Sequence, residues 1–181
     1  MKKIFGLMLL LLIALQSSAQ INDAILQASG LTCSMCSKSI YKSLVAIPFV
    51  KEVTSDIKNS SYNISFKESS NVDVDALKKA VTGAGFSVAL LKVNMGFQNA
   101  SIKNDAHVKV AGKIYHFMNV QPQILNGNKT ITIIDKNFIA AKEFKKYSKL
   151  TTMKCYETGR LENCCSKENG KAGERIYHVT I

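Results

Sequence analysis

Gly30-Leu31-Thr32-Cys33-Ser34-Met35-Cys36 is the stretch that decides the fold in the first half of this 181-residue chain. Two cysteines separated by two residues follow a glycine and open a segment in which apolar side chains recur at spacings of three or four. These side chains are Cys36, Ile40, Leu44 and Ile47. Their spacing predicts an amphipathic helix, and Pro48 ends it because proline has no amide hydrogen to donate. We therefore expect both cysteines at the N-terminal end of a helix, one in the loop and one in the first turn.

The segments around this helix alternate between strand and helix patterns. Strand patterns occur at residues 24–28, in a hairpin over residues 53–66, and at residues 87–93. A second helix follows the hairpin, with Val74, Leu77 and Val81 on its inner face and Asn71 or Asp73 as its cap. The predicted order is β-α-β-β-α-β. This is the split βαβ arrangement, in which two helices cover one face of an antiparallel sheet.

Residues 22–93 resemble the heavy-metal-associated domain of copper chaperones, of the N-terminal modules of copper-transporting ATPases and of periplasmic mercury-binding proteins. The residues that carry the resemblance are Gly30, Thr32, Cys33 and Cys36, the Ile47-Pro48-Phe49-Val50 turn, and Gly85-Phe86. Leu31 replaces the methionine usual in that family, but the two side chains are apolar and similar in volume, so a core-filling role is kept. The resemblance covers about two-fifths of the chain. It implies a ferredoxin-like fold and the transfer of a metal ion between exposed dithiols of this protein and a protein partner.

We predict that Cys33 and Cys36 bind one soft metal ion. The amides and the dipole at the start of a helix favour negative charge, so they stabilise thiolates there. A pair of thiolates suits Cu(I) or Hg(II) better than Zn(II), which takes four ligands in a tetrahedron. The predicted metal is Cu(I), with Hg(II) or another thiophilic ion as the alternative. Thr32 is expected to orient the loop, and Phe86 either packs beside the metal and excludes water or is an ordinary core aromatic.

A thiol–disulfide oxidoreductase is the main competing interpretation of the same cysteine pair. Ser34-Met35 between the cysteines, in place of a Gly-Pro pair, and the lack of an aromatic residue before Cys33 disfavour it. A domain that only senses metal loading is a third possibility. The sequence shows no Ser-His-Asp set, paired-carboxylate site or phosphate-binding loop. We therefore predict a protein that is not an enzyme.

Residues 1–19 have the pattern of a cleaved signal peptide. Lys2 and Lys3 precede an apolar run over residues 4–15, and Ser17-Ser18-Ala19 supplies small residues for cleavage. The apolar run is shorter than the roughly 20 residues that span a bilayer. We expect the mature protein to be periplasmic or secreted, with no stable insertion in a membrane after cleavage.

Positive charge is concentrated in the second half of the chain. Residues 96–181 carry fourteen basic and seven acidic side chains, against eight and six in residues 20–95. A basic surface attracts nucleic acid, anionic lipid or acidic proteins. For an exported chain we predict no nucleic-acid partner, and we favour a solvated basic surface over docking to an acidic protein.

The rest of the chain predicts a second, β-rich domain. Residues 20–94 form the metal-binding domain, the polar residues 95–105 are expected to be a linker, and residues 106–181 form the second domain. Its strands are predicted at 107–110, 113–120 and 130–135, and near 151–157 and 175–181, with turns at Gly112 and at Asn126-Gly127-Asn128 and a helix at 140–150. Three strands, a helix and two strands favour a small OB-like barrel over a generic α+β domain.

Cysteines and histidines of the second half leave two questions open. Cys155 is expected to form a disulfide with Cys164 or Cys165, or these three thiols form a second soft-metal site. His116 and His178 stand in the similar segments Lys-Ile-Tyr-His and Arg-Ile-Tyr-His. We favour exposed strand histidines. If the two strands pair, His116, Met118 and His178 share one face, which would offer two imidazoles and a thioether.

Overall fold

The computed structural model describes residues 20–31, 33–162 and 170–181, and within them the chain forms eight strands and four helices. The strands are β1 (Ile21–Ser29), β2 (Val50–Asp56), β3 (Ser61–Phe66), β4 (Ser87–Ile102), β5 (Ala106–Val110), β6 (Lys113–Phe117), β7 (Gln123–Ile133) and β8 (Ile176–Thr180). The helices are α1 (Ser34–Val45), α2 (Val74–Gly83), α3 (Ala141–Tyr147) and α4 (Cys155–Thr158). None of these described helices is long and apolar enough to cross a bilayer. The signal peptide predicted for residues 1–19 lies outside the described residues.

All eight strands belong to one sheet, in the order β2-β3-β1-β4-β7-β8-β6-β5. The first half confirms the predicted β-α-β-β-α-β order, because β2, β3, β1 and β4 pair antiparallel in that sequence. Helix α1 buries Ser37, Ile40 and Leu44, and helix α2 buries Val74, Leu77 and Val81. Asp73 caps α2 by accepting a hydrogen bond of 2.9 Å from the Asp75 amide. The periodicity of the sequence therefore identified the inner face of both helices.

The linker expected at residues 95–105 is instead largely the second half of β4, which continues to Ile102. Met95 and Phe97 are buried on one face of this strand. The sequence of this segment suggested a linker because most of its positions are polar or glycine, although one polar face is normal in an antiparallel strand. The expected turn at residues 126–128 likewise lies inside β7, where Gly127 pairs with Phe97 beside a register shift. The two halves of the chain are therefore joined by a continuous β-ladder.

An OB-like barrel is not confirmed for the second half. Its strands extend the same sheet, with β7 and β8 antiparallel and β8 and β6 parallel. The segment near residues 151–157, expected to be a strand, contains the short helix α4. Gly159 ends this helix in the left-handed conformation, with φ 68°, which glycine adopts without steric cost. The sequence pattern missed α4 because a four-residue helix is too short to show a period.

A polar network around Arg175 connects the two halves. Its Nε donates a hydrogen bond to Asp75 of α2 at 2.9 Å, and its Nη2 donates to Asp135 at 2.8 Å. The Tyr177 hydroxyl donates to the same Asp75 carboxylate at 3.1 Å. Burial alone would raise the pKa of Asp75, but hydrogen bonding and the positive charge of Arg175, followed by those of Lys78, lower this pKa to about 2. The ionised form of Asp75 is thus part of the folded state.

The network predicts a loss of stability in acid. The folded-state pKa of Asp75 lies below its ordinary value of 3.8, so its contribution is complete above about pH 4 and is lost as the pH falls toward 2. We expect about 2 kcal/mol of unfolding free energy to disappear over this range from Asp75 alone. Urea denaturation at pH 5, 4, 3 and 2 measures it. The variant Asp75→Asn should show a smaller loss over the same interval, and an equal loss would contradict this assignment.

Candidate metal centre

Cys33 and Cys36 lie at the start of α1, as predicted. Cys33 is the N-cap residue, with extended backbone angles of φ −155° and ψ 160°, and its sulfur accepts a hydrogen bond of 3.3 Å from the Cys36 amide. Cys33 is exposed and Cys36 is half-buried. A sulfur in the N-cap position takes the place of the usual oxygen acceptor. The local structure therefore presents a cysteine sulfur at the N-terminus of α1, on the protein surface.

Two glycines set the backbone of the loops near the cysteine pair, one before α1 and one after α2. Gly30 and Gly85 adopt φ values of +84° and +88°, which disfavour any residue with a side chain. Phe86 follows the second glycine, and its Cδ1 lies 3.9 Å from the point where a Cβ on Gly30 would stand. Phe86 is half-buried against the main core, as is Leu31. The structure thus places Phe86 beside the cysteine loop, and it confirms the packing role expected for Leu31. Thr32 lies outside the described residues.

A buried hydrogen-bonded pair fixes the first turn of α1 to the sheet. The Tyr62 hydroxyl of β3 lies 3.0 Å from the Ser37 hydroxyl, and it donates a hydrogen bond of 3.2 Å to the Ser37 carbonyl oxygen. Tyr62 is completely buried and Ser37 follows Cys36 directly. This contact therefore holds the backbone beside the second cysteine.

Removal of the Tyr62 hydroxyl should destabilise the protein and loosen the cysteine turn. Tyr62→Phe leaves the Ser37 hydroxyl and carbonyl without this partner in a buried position, which costs about 1 to 3 kcal/mol. Urea denaturation checks the loss, and amide hydrogen exchange at Cys36 and Ser37 should accelerate. Ser61→Ala, at the neighbouring half-buried position of β3, is the control. An unchanged exchange rate at Cys36 in Tyr62→Phe would contradict a positioning role.

A second group of potential metal ligands lies in the other half of the chain, and the sequence analysis did not assemble it. His107 of β5, His116 of β6 and Cys155 of α4 each offer one ligand atom, and these three atoms lie within 4.8 Å of one another. The Cys155 sulfur is 3.9 Å from His107 Nε2 and 3.8 Å from His116 Nδ1. We call these three residues the His-Cys cluster. The cross-strand pairing of His107 with His116 brings the two imidazoles together.

The favoured expectation of exposed strand histidines is wrong for His116 and His178, which are both 0% exposed. Strands β6 and β8 do pair, with His116 opposite His178, so the similarity of their two segments was a valid signal. Burial results because Tyr156 and Cys155 of α4 lie against this face of the sheet. Burial, followed by the nearby His178 and His107, lowers the pKa of His116 to about 3 against the opposing effect of Asp105. The disulfide expected between Cys155 and Cys164 or Cys165 involves partners that lie outside the described residues.

Comparison with known proteins finds a family model that matches part of the first half. Residues 25–87 match the model of the Heavy-metal-associated domain, which confirms the resemblance carried by the cysteine loop. The probable copper-transporting ATPase HMA5 of Arabidopsis thaliana is 32% identical over 72 residues, which are 40% of this chain and 7% of that ATPase. The present chain therefore corresponds to only a small part of its curated relative.

Solved structures similar to the first half include a yeast copper transporter domain and a bacterial protein, MerP. The Ccc2a domain of yeast, solved in apo and Cu(I)-loaded states, is 25% identical, with 36% of this chain and 88% of that chain covered and a TM-score of 0.33. Oxidised MerP from Ralstonia metallidurans CH34 is 26% identical, with 39% and 97% covered and a TM-score of 0.34. The family match itself supports metal binding by the first half of this protein.

Proposed function

Because residues 25–87 form a heavy-metal-associated domain, we propose that this protein is an exported carrier that binds Cu(I) through Cys33 and Cys36 and passes it to a protein partner. The observation that carries the proposal is the position of Cys33, exposed at the N-cap of α1 with its sulfur accepting the Cys36 amide. Two thiolates at such a helix end satisfy a soft ion of low coordination number. Export is inferred from the signal-peptide pattern of residues 1–19, which gives a periplasmic or secreted location.

Exposure of the site supports transfer as its role. A two-coordinate ion on an exposed cysteine leaves room for the thiols of a partner to attack. The ion then passes through a three-coordinate intermediate, and the partner's thiolates replace those of Cys33 and Cys36. The protons that the partner's thiols release are taken up by the departing cysteines, and the oxidation state of the ion does not change. This step needs no catalytic acid or base, so we infer that the site does not perform enzymatic chemistry. Delivery to an efflux partner and sequestration are both consistent with such a site.

Metal transfer can be measured directly. Protein loaded anaerobically with one equivalent of Cu(I) is mixed with a metal-free heavy-metal-associated domain of different mass, and the two are separated by size-exclusion or ion-exchange chromatography. We expect copper to distribute between the proteins within the mixing time. Retention of all the copper by the donor over hours would contradict a transfer role. Parallel loading with Hg(II) establishes whether that ion binds more tightly than Cu(I). Tighter binding of Hg(II) would identify mercury, and not copper, as the cargo.

The oxidoreductase interpretation requires a separate experiment. Metal-free, reduced protein is assayed for turnover of a dithiol or disulfide substrate, with the Cys33→Ser variant as the control. We expect no turnover above that of the control. Rapid turnover that depends on Cys33 would favour thiol–disulfide exchange over metal transport.

A further inference from the structure

The His-Cys cluster contains the donor set of a transition-metal site. Its ligand atoms are one sulfur and two imidazole nitrogens, contributed by two neighbouring strands and by a helix packed on them. Cys155 and His116 are completely buried and His107 is half-buried. Three strands, β4, β7 and β8, separate β6 from β1, after which the cysteine pair lies. The cluster is therefore distinct from the site at Cys33 and Cys36.

A carboxylate orients one of the two imidazoles toward the sulfur. Asp105 Oδ1 lies 3.0 Å from His116 Nε2, on the opposite side of the ring from the nitrogen that faces Cys155. When Nε2 donates its proton to this carboxylate, Nδ1 carries the lone pair that a metal requires. Metal-ligating histidines commonly donate their other ring nitrogen to a carboxylate in this way, which fixes the tautomer. The arrangement thus prepares His116 to be a ligand.

A second histidine, His178, lies beside the cluster and is likewise hydrogen-bonded to a carboxylate through one ring nitrogen. The ring of His178 lies 5.0 Å from that of His116, centroid to centroid, and its Nδ1 is hydrogen-bonded to Asp135. The other nitrogen of His178, Nε2, is buried and has no hydrogen-bond partner among the residues that the structure describes. An unpaired buried polar atom costs free energy. This unpaired nitrogen beside the His-Cys cluster is a second indication that the region binds an ion or a polar group.

The two sulfur–nitrogen separations within the cluster are close to those expected around a single bound ion. With a metal–sulfur distance of about 2.3 Å and metal–nitrogen distances of about 2.0 to 2.1 Å, a tetrahedral angle gives a sulfur–nitrogen separation of about 3.6 Å and a trigonal angle about 3.8 Å. The observed separations are 3.8 and 3.9 Å. Trigonal sites made of two histidines and one cysteine are typical of copper. Among the described residues, His178 does not belong to the group of ligand atoms that lie within 4.8 Å of one another, so Zn(II) would lack the fourth ligand of its tetrahedron.

We propose that His107, His116 and Cys155 form a second, buried metal site that binds one copper ion, with Asp105 as the positioning residue of His116. The protein would then hold copper in two environments, an exposed pair of thiolates and a buried set of one thiolate and two imidazoles. The buried ion is enclosed between β5, β6 and α4, so its exchange with partners should be slower than that of the exposed ion.

The test uses the full protein with Cys33→Ser and Cys36→Ser, so that the first site is silent. Anaerobic titration with chelator-buffered Cu(I), and separately with Zn(II), gives stoichiometry and affinity, and X-ray absorption identifies the ligands. We expect one Cu(I) per chain with one sulfur and two nitrogen ligands. Adding Cys155→Ser or His107→Gln should abolish stoichiometric binding, and Asp105→Asn should weaken it by roughly 10- to 100-fold. Cys164 and Cys165 are kept in every variant.

Lys109→Gln, at an exposed position of β5, is the matched control and should bind copper like the parent. Circular dichroism and thermal unfolding identify any variant that fails to fold. If Cys155→Ser does not fold, the copper titration of His107→Gln still tests the site, because His107 is only half-buried. Absence of binding, or binding unchanged in His107→Gln, would overturn the site. Tighter binding of Zn(II) with no stoichiometric Cu(I) would overturn copper as its metal. Recovery of Cys155 in a disulfide from protein purified without any reductant would also overturn it.

Discussion

Cys33→Ser combined with Cys36→Ser should lower the affinity of the first site for Cu(I) by more than about a thousandfold. The reason is that both soft ligands are replaced by hydroxyls, which are hard donors that bind Cu(I) poorly. The measurement is anaerobic competition against a Cu(I) chelator. It is performed in a Cys155→Ser background, so that the His-Cys cluster does not contribute. The helix itself should form in the double variant, because serine at position 33 remains a good N-cap.

Met35→Leu is the matched control for this loss. Met35 stands between the two cysteines, is 72% exposed and carries the only other sulfur of the loop. Because the Met35 side chain is exposed, packing does not require its thioether, and leucine has a volume similar to that of methionine. We expect affinity close to that of the parent. A large loss of Cu(I) affinity in Met35→Leu would show that the thioether is a ligand. Unchanged affinity in the double serine variant would show that Cys33 and Cys36 do not form the Cu(I) site.

Arg175→Ala should be among the most destabilising single substitutions outside the hydrophobic core. The guanidinium forms ion pairs with Asp75 and with Asp135, whose side chains are 22% and 5% exposed. Its removal leaves two poorly solvated carboxylates without their partner, and one of them also binds His178. Breaking a fully buried ion pair costs about 3 to 5 kcal/mol, and because the Arg175 side chain is 29% exposed we expect a loss at or below the lower end of that range, about 2 to 3 kcal/mol. Denaturant titration, with the midpoint and slope fitted separately, measures the change in unfolding free energy.

Lys78→Ala is the comparison that distinguishes the Arg175 network from an ordinary ion pair within one helix. Lys78 also contacts Asp75, at 3.0 Å and one turn along α2, and its Nζ lies 4.5 Å from the centroid of the Phe138 ring, but among the described residues it forms no ion pair with Asp135. Exposed or partly exposed pairs on one helix contribute about 0.5 kcal/mol or less. If Arg175→Ala and Lys78→Ala cost the same small amount, the network around Arg175 would not hold α2 to the second half of the sheet.

The sequence predicted the first half well because local and long-range signals agree there. The helical spacing of Ile40 and Leu44, the cap at Asp73 and the glycines around the cysteine loop each act over a few residues. They all indicate the same arrangement of two helices on one sheet. The proposed metal ligands Cys33 and Cys36 lie within a single loop and the first turn of its helix, so no distant contact was needed to bring them together.

The second half could not be predicted to the same depth because its features depend on distant contacts. The polar segment after Met95 becomes a strand only because β7 pairs with it. His116 is buried only because β8 and α4 pack around it, and the Cys155 sulfur is 48 and 39 residues away in sequence from the two histidines that it approaches. The repeated Ile-Tyr-His segments did indicate that two strands pair. Nothing in that repeat indicated His107 or Cys155.

The most direct test of the central claim is X-ray absorption spectroscopy of the protein with one equivalent of Cu(I), added anaerobically to the fully reduced chain. The account predicts that the exposed cysteine pair fills first, since two thiolates suit Cu(I) better than one thiolate and two imidazoles. The spectrum should then show sulfur ligands alone and a low coordination number. Copper bound mainly by nitrogen, in a protein whose Cys33 and Cys36 remain open to alkylation, would contradict the assignment of this pair as the carrier site.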